Sequence, residues 1–117
     1  MRRLRPTYVL AALWAFIQVR RARRVIGVGL PSPGALRPPW PATGNDPRPV
    51  RAVLRRTGAT CLVRSLVLQA WEASHGVERD VIVGVTGRAD FHAHAWLDGD
   101  PSGSEITFTE LVRVPVR

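Results

Sequence analysis

The sequence predicts an α+β fold, helices first and an antiparallel sheet last. Three observations carry this. An apolar run from Thr7 to Val19 is bounded by Arg on both sides. Leu62, Leu66 and Ala70, and beside them Val63, Val67 and Trp71, repeat at four-residue spacing. From Val81 onward, β-branched or alternating segments are separated by turn residues. The 117 residues amount to one domain, and 45% hydrophobic with 22% charged residues is a globular rather than a disordered composition. A single cysteine excludes an internal disulfide framework and a multi-cysteine zinc site. All 17 basic residues are Arg, and the net charge is +8. Residues 1–56 carry 12 Arg against the single acid Asp46, whereas residues 57–117 carry 5 Arg against 8 acids. The chain thus divides into a basic N-terminal part, 1–56, and a slightly acidic part, 57–117, with different expected tasks.

The first element is a helix over the Thr7–Val19 run and the Arg20–Arg24 cluster. Its apolar run is too short for a bilayer, which needs roughly 20 residues. Arg2, Arg3 and Arg5 ahead of it resemble the start of a signal peptide, but no small-residue cleavage site follows. Packing would use the apolar face, and the Arg-rich end suits the negative pole of the helix dipole. The same helix could dock on an acidic partner or a membrane surface. Residues 27–50 hold most of the ten prolines and four of the ten glycines, which predicts a linker or wrapping loop without helix or central strand, tied to the core by Trp40. Residues 50–57 read as a short amphipathic helix.

The next helix begins at Thr60, whose hydroxyl can accept from a free N–H of the first turn, and stops at Gly76. Cys61 falls in its first turn. Strands follow over Val81–Val85, Phe91–Leu97 and Glu105–Val114, with turns at Thr86–Asp90 and Asp98–Ser104. Period-two alternation puts His92, His94 and Trp96 on one face of the second strand and Ala93 and Ala95 on the other.

A thiol in the first turn of a helix lies where free N–H groups and the dipole favour an anion, and the same groups can stabilise an oxyanion. Such a thiol needs a base, and His94 serves if its strand packs against the helix start. A third group would orient the imidazole. Free cysteines are usually buried and inert, so the pair alone does not make an enzyme. His92 is a second possible base. His75, beside Gly76, is expected to cap a helix end. Gln69 lies eight residues into the helix, about 12 Å from Cys61 at ~1.5 Å per residue, too far for an oxyanion role. His92 and His94 lack the further ligands a catalytic zinc needs, so no metal is expected.

The stretch Cys61-Leu62-Val63-Arg64-Ser65-Leu66, then Gly84-Val85 after a β-branched run, then Ala93-His94-Ala95-Trp96, resembles the leader peptidases of lasso-peptide biosynthesis, transglutaminase-like cysteine proteases of the microcin-processing type. The resemblance covers residues 57–117, with a looser match to the basic, Pro-rich lead-in. It implies a papain- or transglutaminase-like fold, the Cys-bearing helix packed on the His-bearing sheet. It implies removal of the leader from a ribosomally made precursor peptide, with Cys61 as nucleophile and His94 as base. It also implies two partner proteins, a separate leader-recognition protein and an ATP-using lasso cyclase, and no cofactor. The family places an Asp about a dozen residues beyond the His, after a hairpin. Here that position is Ile106, and the adjacent Glu105 takes the role by alignment, with Glu110, Asp98 and Asp100 as alternatives. A hairpin centred on Pro101–Ser102 would put Glu110 on the His94 face and Glu105 on the other, and a bulge would reverse this.

Two other readings compete. The basic front half could bind nucleic acid or an acidic partner, although no zinc finger, RNA-binding aromatic signature or helix-turn-helix is present, and nucleic acid is not the expected ligand. The same Cys–His chemistry also suits a transglutaminase-like acyl transferase. Lacking disulfides and a targeting signal, the protein is expected in the bacterial cytoplasm, with peripheral membrane contact open through the first helix.

Overall fold

A computed structural model describes residues 5–29, 31–86, 92–100 and 108–116, apart from the side chain of His92. Helix α1 spans Pro6–Ile26, a short 3-10 turn spans Pro41–Thr43, α2 spans Arg48–Arg56 and α3 spans Cys61–Ala73. Strands β1 (Val81–Thr86), β2 (His92–Leu97) and β3 (Thr109–Val114) form an antiparallel sheet in the order β2-β1-β3. The result is the α+β fold expected.

Proline sets where the first helix starts. Pro6 occupies the first turn of α1, where its missing N–H costs nothing. The helix buries Ala11, Trp14, Ala15, Gln18, Val19 and Ala22, and small residues on this face let it approach α3 and α2 closely. Residues 27–50 are not uniformly loop. Pro47 and Pro49 flank the start of α2, again in a first turn, so the helix begins within the proline-rich stretch. Trp40 does not tie this segment down, since 39% of it is exposed. The tie runs the other way, from α1 to the loop backbone. Trp14 Nε1 donates to Arg37 O at 3.2 Å, and Gln18 Oε1 accepts from Arg37 N at 3.0 Å. Both helix side chains that reach this loop, Trp14 as donor and Gln18 as acceptor, are buried, whereas Trp40 is exposed.

Thr60 caps α3 as expected, its hydroxyl accepting from Val63 N at 3.4 Å. Gly76, at φ +85°, takes the left-handed turn that ends this region. One hydrophobic core joins α1, α2, α3 and the inner sheet face through residues such as Trp14, Val50, Leu66, Trp71, Val81, Ala95 and Val114. Gln69, only 7% exposed, bridges α3 to the sheet by donating to Arg79 O and Val114 O, both at 2.8 Å.

Strand order corrects one expectation. The hairpin imagined between the second and third strands does not form a pair; β3 pairs with β1. The physical reason lies in β1. Its continuous apolar run, Val81-Ile82-Val83, suits a central strand flanked on both edges. The described part of the third strand begins at Thr109, and the expected turn at 87–90 and the segment 101–107 lie outside the described residues.

Candidate active site

Cys61 is the first residue of α3, half-buried, and it is the free cysteine of the chain. Its neighbour is β2, an edge strand. Alternate amides along such an edge point away from the sheet with no strand to pair them. Ala95 N is one of these, and it donates to Cys61 Sγ at 3.4 Å. The start of α3 therefore closes part of the open edge of β2, and a backbone donor stands at the sulfur.

The register of β1 and β2 places Val83 opposite Ala95 and Gly84 opposite His94. Ala95 and Leu97 face the core with α3. His94 and Trp96 lie on the other face, as the alternation predicts. His94 is half-buried and stacks on Trp96, centroids 5.8 Å apart and planes 18° apart, with Phe108 at 5.0 Å. Trp96 is 3% exposed and lies over Gly84. A Cβ at Gly84 would stand 2.7 Å from Trp96 Cη2 and 2.9 Å from Thr109 O, so glycine here makes room for the ring that supports His94. Among the described residues His94 makes no hydrogen bond to Cys61. The two side chains nevertheless line one cleft of about 610 Å³. Cys61 reaches its edge from the helix side and His94 from the outer face.

The acids divide clearly. Glu110 lies in line with His94 across Gly84, because a bulge between Val83 and Gly84 resets the β1–β3 register. Its carboxylate is nevertheless held by Arg113, whose Nε donates to Oε2 at 2.6 Å. Arg113 also holds Asp98 at 3.2 Å and Asp80 at 3.5 Å. Glu110 first, and then Asp98, hold the Arg113 guanidinium above its ordinary value. Asp100 is the alternative that lines the cleft with Cys61 and His94. Glu105 lies outside the described residues, as does the side chain of His92. Among the described residues no three His, Cys, Asp or Glu gather as a metal site requires.

Two features escape a reading of motifs. The Ala95 amide is one, since a strand's period gives its faces but not which edge is free. The other is Glu72, three turns along α3 in the same cleft, whose Oε2 is buried without a hydrogen-bond partner among the described residues. His75 and Gln69 serve structure. His75 Nδ1 lies 2.7 Å from Trp71 O and Nε2 lies 2.9 Å from Gly44 O, so its ring closes the end of α3 against the loop.

A cysteine at a helix start, beside an edge strand that carries a histidine, is an arrangement that suits thiol acyl-transfer chemistry. The chain belongs to the transglutaminase-like superfamily, whose family model matches residues 7–106. That span takes in α1 as well as the Cys61 and His94 segments. Members of the superfamily include cysteine proteases and acyl transferases and are commonly cysteine-dependent enzymes. No match was found among curated proteins or among solved structures.

Proposed function

We propose that the protein is a cysteine endopeptidase of the bacterial cytoplasm that removes the leader from a lasso-peptide precursor, with Cys61 as nucleophile and His94 as base. The observation that carries this is the convergence of Cys61 Sγ, the Ala95 amide and the His94 ring on one open cleft. The thiolate attacks the scissile carbonyl, and the negative oxygen of the tetrahedral intermediate is held by free N–H groups of the first turn of α3. The imidazolium returns its proton to the leaving amine, and water resolves the thioester. With substrate in the cleft, the His94 ring turns from Trp96 toward the sulfur, since catalytic hydrogen bonds often tighten only in the complex. Glu105, the choice by alignment, orients it in this reading, with Asp100, which lines the same cleft, as the alternative. A leader-recognition protein presents the precursor, and a cyclase consumes the released core peptide.

The test is mass spectrometry of a candidate precursor with wild type, Cys61→Ala and His94→Ala, each with and without a leader-recognition protein. Cleavage at one site by wild type, none by Cys61→Ala, and a loss of roughly 10²–10⁴-fold in His94→Ala is the expected pattern. Cleavage that survives Cys61→Ala overturns the assignment. Transfer of the acyl group to an added amine in place of water would mark an acyl transferase instead.

A further inference from the structure

Helix α1 has a second face that the core does not use. Val9, Leu13, Phe16 and Ile17 each show 41–48% of their surface. At about 100° per residue these four fall in one sector of the helix with Arg20 and Arg24, and Arg5 and Arg23, about five turns apart at the same angle, lie at its margin. The sector therefore reads cation, apolar stripe, cations along its length. The stripe from Val9 to Ile17 is about 12 Å long at ~1.5 Å per residue. Arg20 lies over the Phe16 ring at 5.9 Å, so the cationic and apolar parts are continuous. Arg21, on the flank, and Arg23, at the margin beside the Arg5 angle, are occupied differently. Arg21 donates to Ala35 O and Arg23 to Thr57 O, which stitches the helix to its own protein and leaves the outer sector facing outward.

Two possible occupants fit this face poorly. A second copy packed antiparallel across the stripe would bring the Arg5 end of one helix to the Arg20–Arg24 end of the other, positive to positive. A folded protein partner needs about 800 Å² on each side for a standard interface, and four side chains less than half exposed fall well short of that. A lipid surface has no such minimum area, and anionic headgroups complement cations at both ends of an apolar stripe. The structure assigns this face to an anionic membrane surface, with α1 lying in the plane of the headgroups. No helix among the described residues is long and apolar enough to cross a membrane, so the contact is peripheral. No residue of α1 lines the Cys61 cleft, which stays open when the outer face of α1 is covered.

Co-sedimentation with phosphatidylcholine vesicles, and with vesicles of phosphatidylcholine and phosphatidylglycerol, tests this. The variants are Phe16→Ser with Ile17→Ser, and Arg20→Gln with Arg24→Gln, all at exposed positions, with circular dichroism to confirm that each is folded. Wild type should bind the anionic vesicles and not the neutral ones. Loss of two Arg contacts should weaken binding about 30-fold, and the serine pair should weaken it comparably at low salt. Equal binding to both vesicles overturns the proposal, as does a serine pair that binds like wild type. Binding to neither vesicle overturns it in favour of a protein partner. A wild-type dimer in sedimentation velocity that the serine pair dissociates overturns it in favour of a second copy.

Discussion

At the scale of single residues, the site depends on an atom that is missing. Gly84 has no Cβ where one would meet the Trp96 ring and the Thr109 carbonyl at under 3 Å. Gly84→Ala therefore pushes Trp96 off the sheet, with a cost of about 1–3 kcal/mol for overpacking. Because His94 stacks on that ring, activity should fall together with stability, and urea denaturation beside a cleavage assay checks both. Glu72 gives the opposite expectation. Its buried oxygen has no partner among the described residues, so Glu72→Gln removes a charge from a place that does not satisfy it. The melting temperature should hold or rise, and a fall of several degrees would show that the carboxylate is satisfied in solution. Cys61 and His94 are both legible in the sequence, as a capped helix start and an alternating strand. Their approach is not, since it depends on which edge of β2 stays open. Of the acids proposed to orient His94, Glu110 and Asp98 are drawn off by Arg113, and no spacing rule foretells that competition.

At the scale of elements, Gln69 ties α3 to the sheet. Gln69→Leu leaves the Arg79 and Val114 carbonyls without their donor inside a packed interface. A loss of about 1–3 kcal/mol in urea denaturation is expected, the penalty of orphaned buried acceptors. Helix α2 starts beside a weaker device. Asp46 accepts from Arg48 N at 3.0 Å and pairs with the Arg48 guanidinium at 2.8 Å. The side-chain hydrogen bond to Arg48 holds the Asp46 carboxyl below its ordinary value of 3.8. A carboxyl lowered in the folded state adds stability above that value and loses it as pH falls through the folded-state value. Asp46→Asn should thus lower the melting temperature slightly at neutral pH. It should do nothing well below 3.8, where the carboxyl is protonated in folded and unfolded chains alike. The effect is small because the pair is exposed. The sequence located α1, α2 and α3 through periodicity and caps. It misread the proline-rich stretch, because proline breaks a helix interior but is tolerated in a first turn, and the two cases look alike until the register is known.

At the scale of the whole molecule, the halves that differ in charge share one core. Composition separates them because charge lies on the surface, whereas the contacts that join them are apolar. Strand order was the feature least legible in the sequence. Three strands in succession permit a simple meander, and only the demand of an apolar β1 for two neighbours puts it in the middle. That order leaves β2 at the edge, and the start of α3 meets it there.

The pairing of Trp14 with Trp71, ring centroids 5.7 Å apart and planes at 47°, joins the N-terminal helix to the helix that carries the nucleophile. Two indoles this close and this steeply inclined couple their electronic transitions. The protein therefore carries a built-in optical gauge of whether α1 is seated. Circular dichroism should show an exciton couplet that Trp14→Phe abolishes, and its disappearance on heating would report separation of α1 from α3 directly.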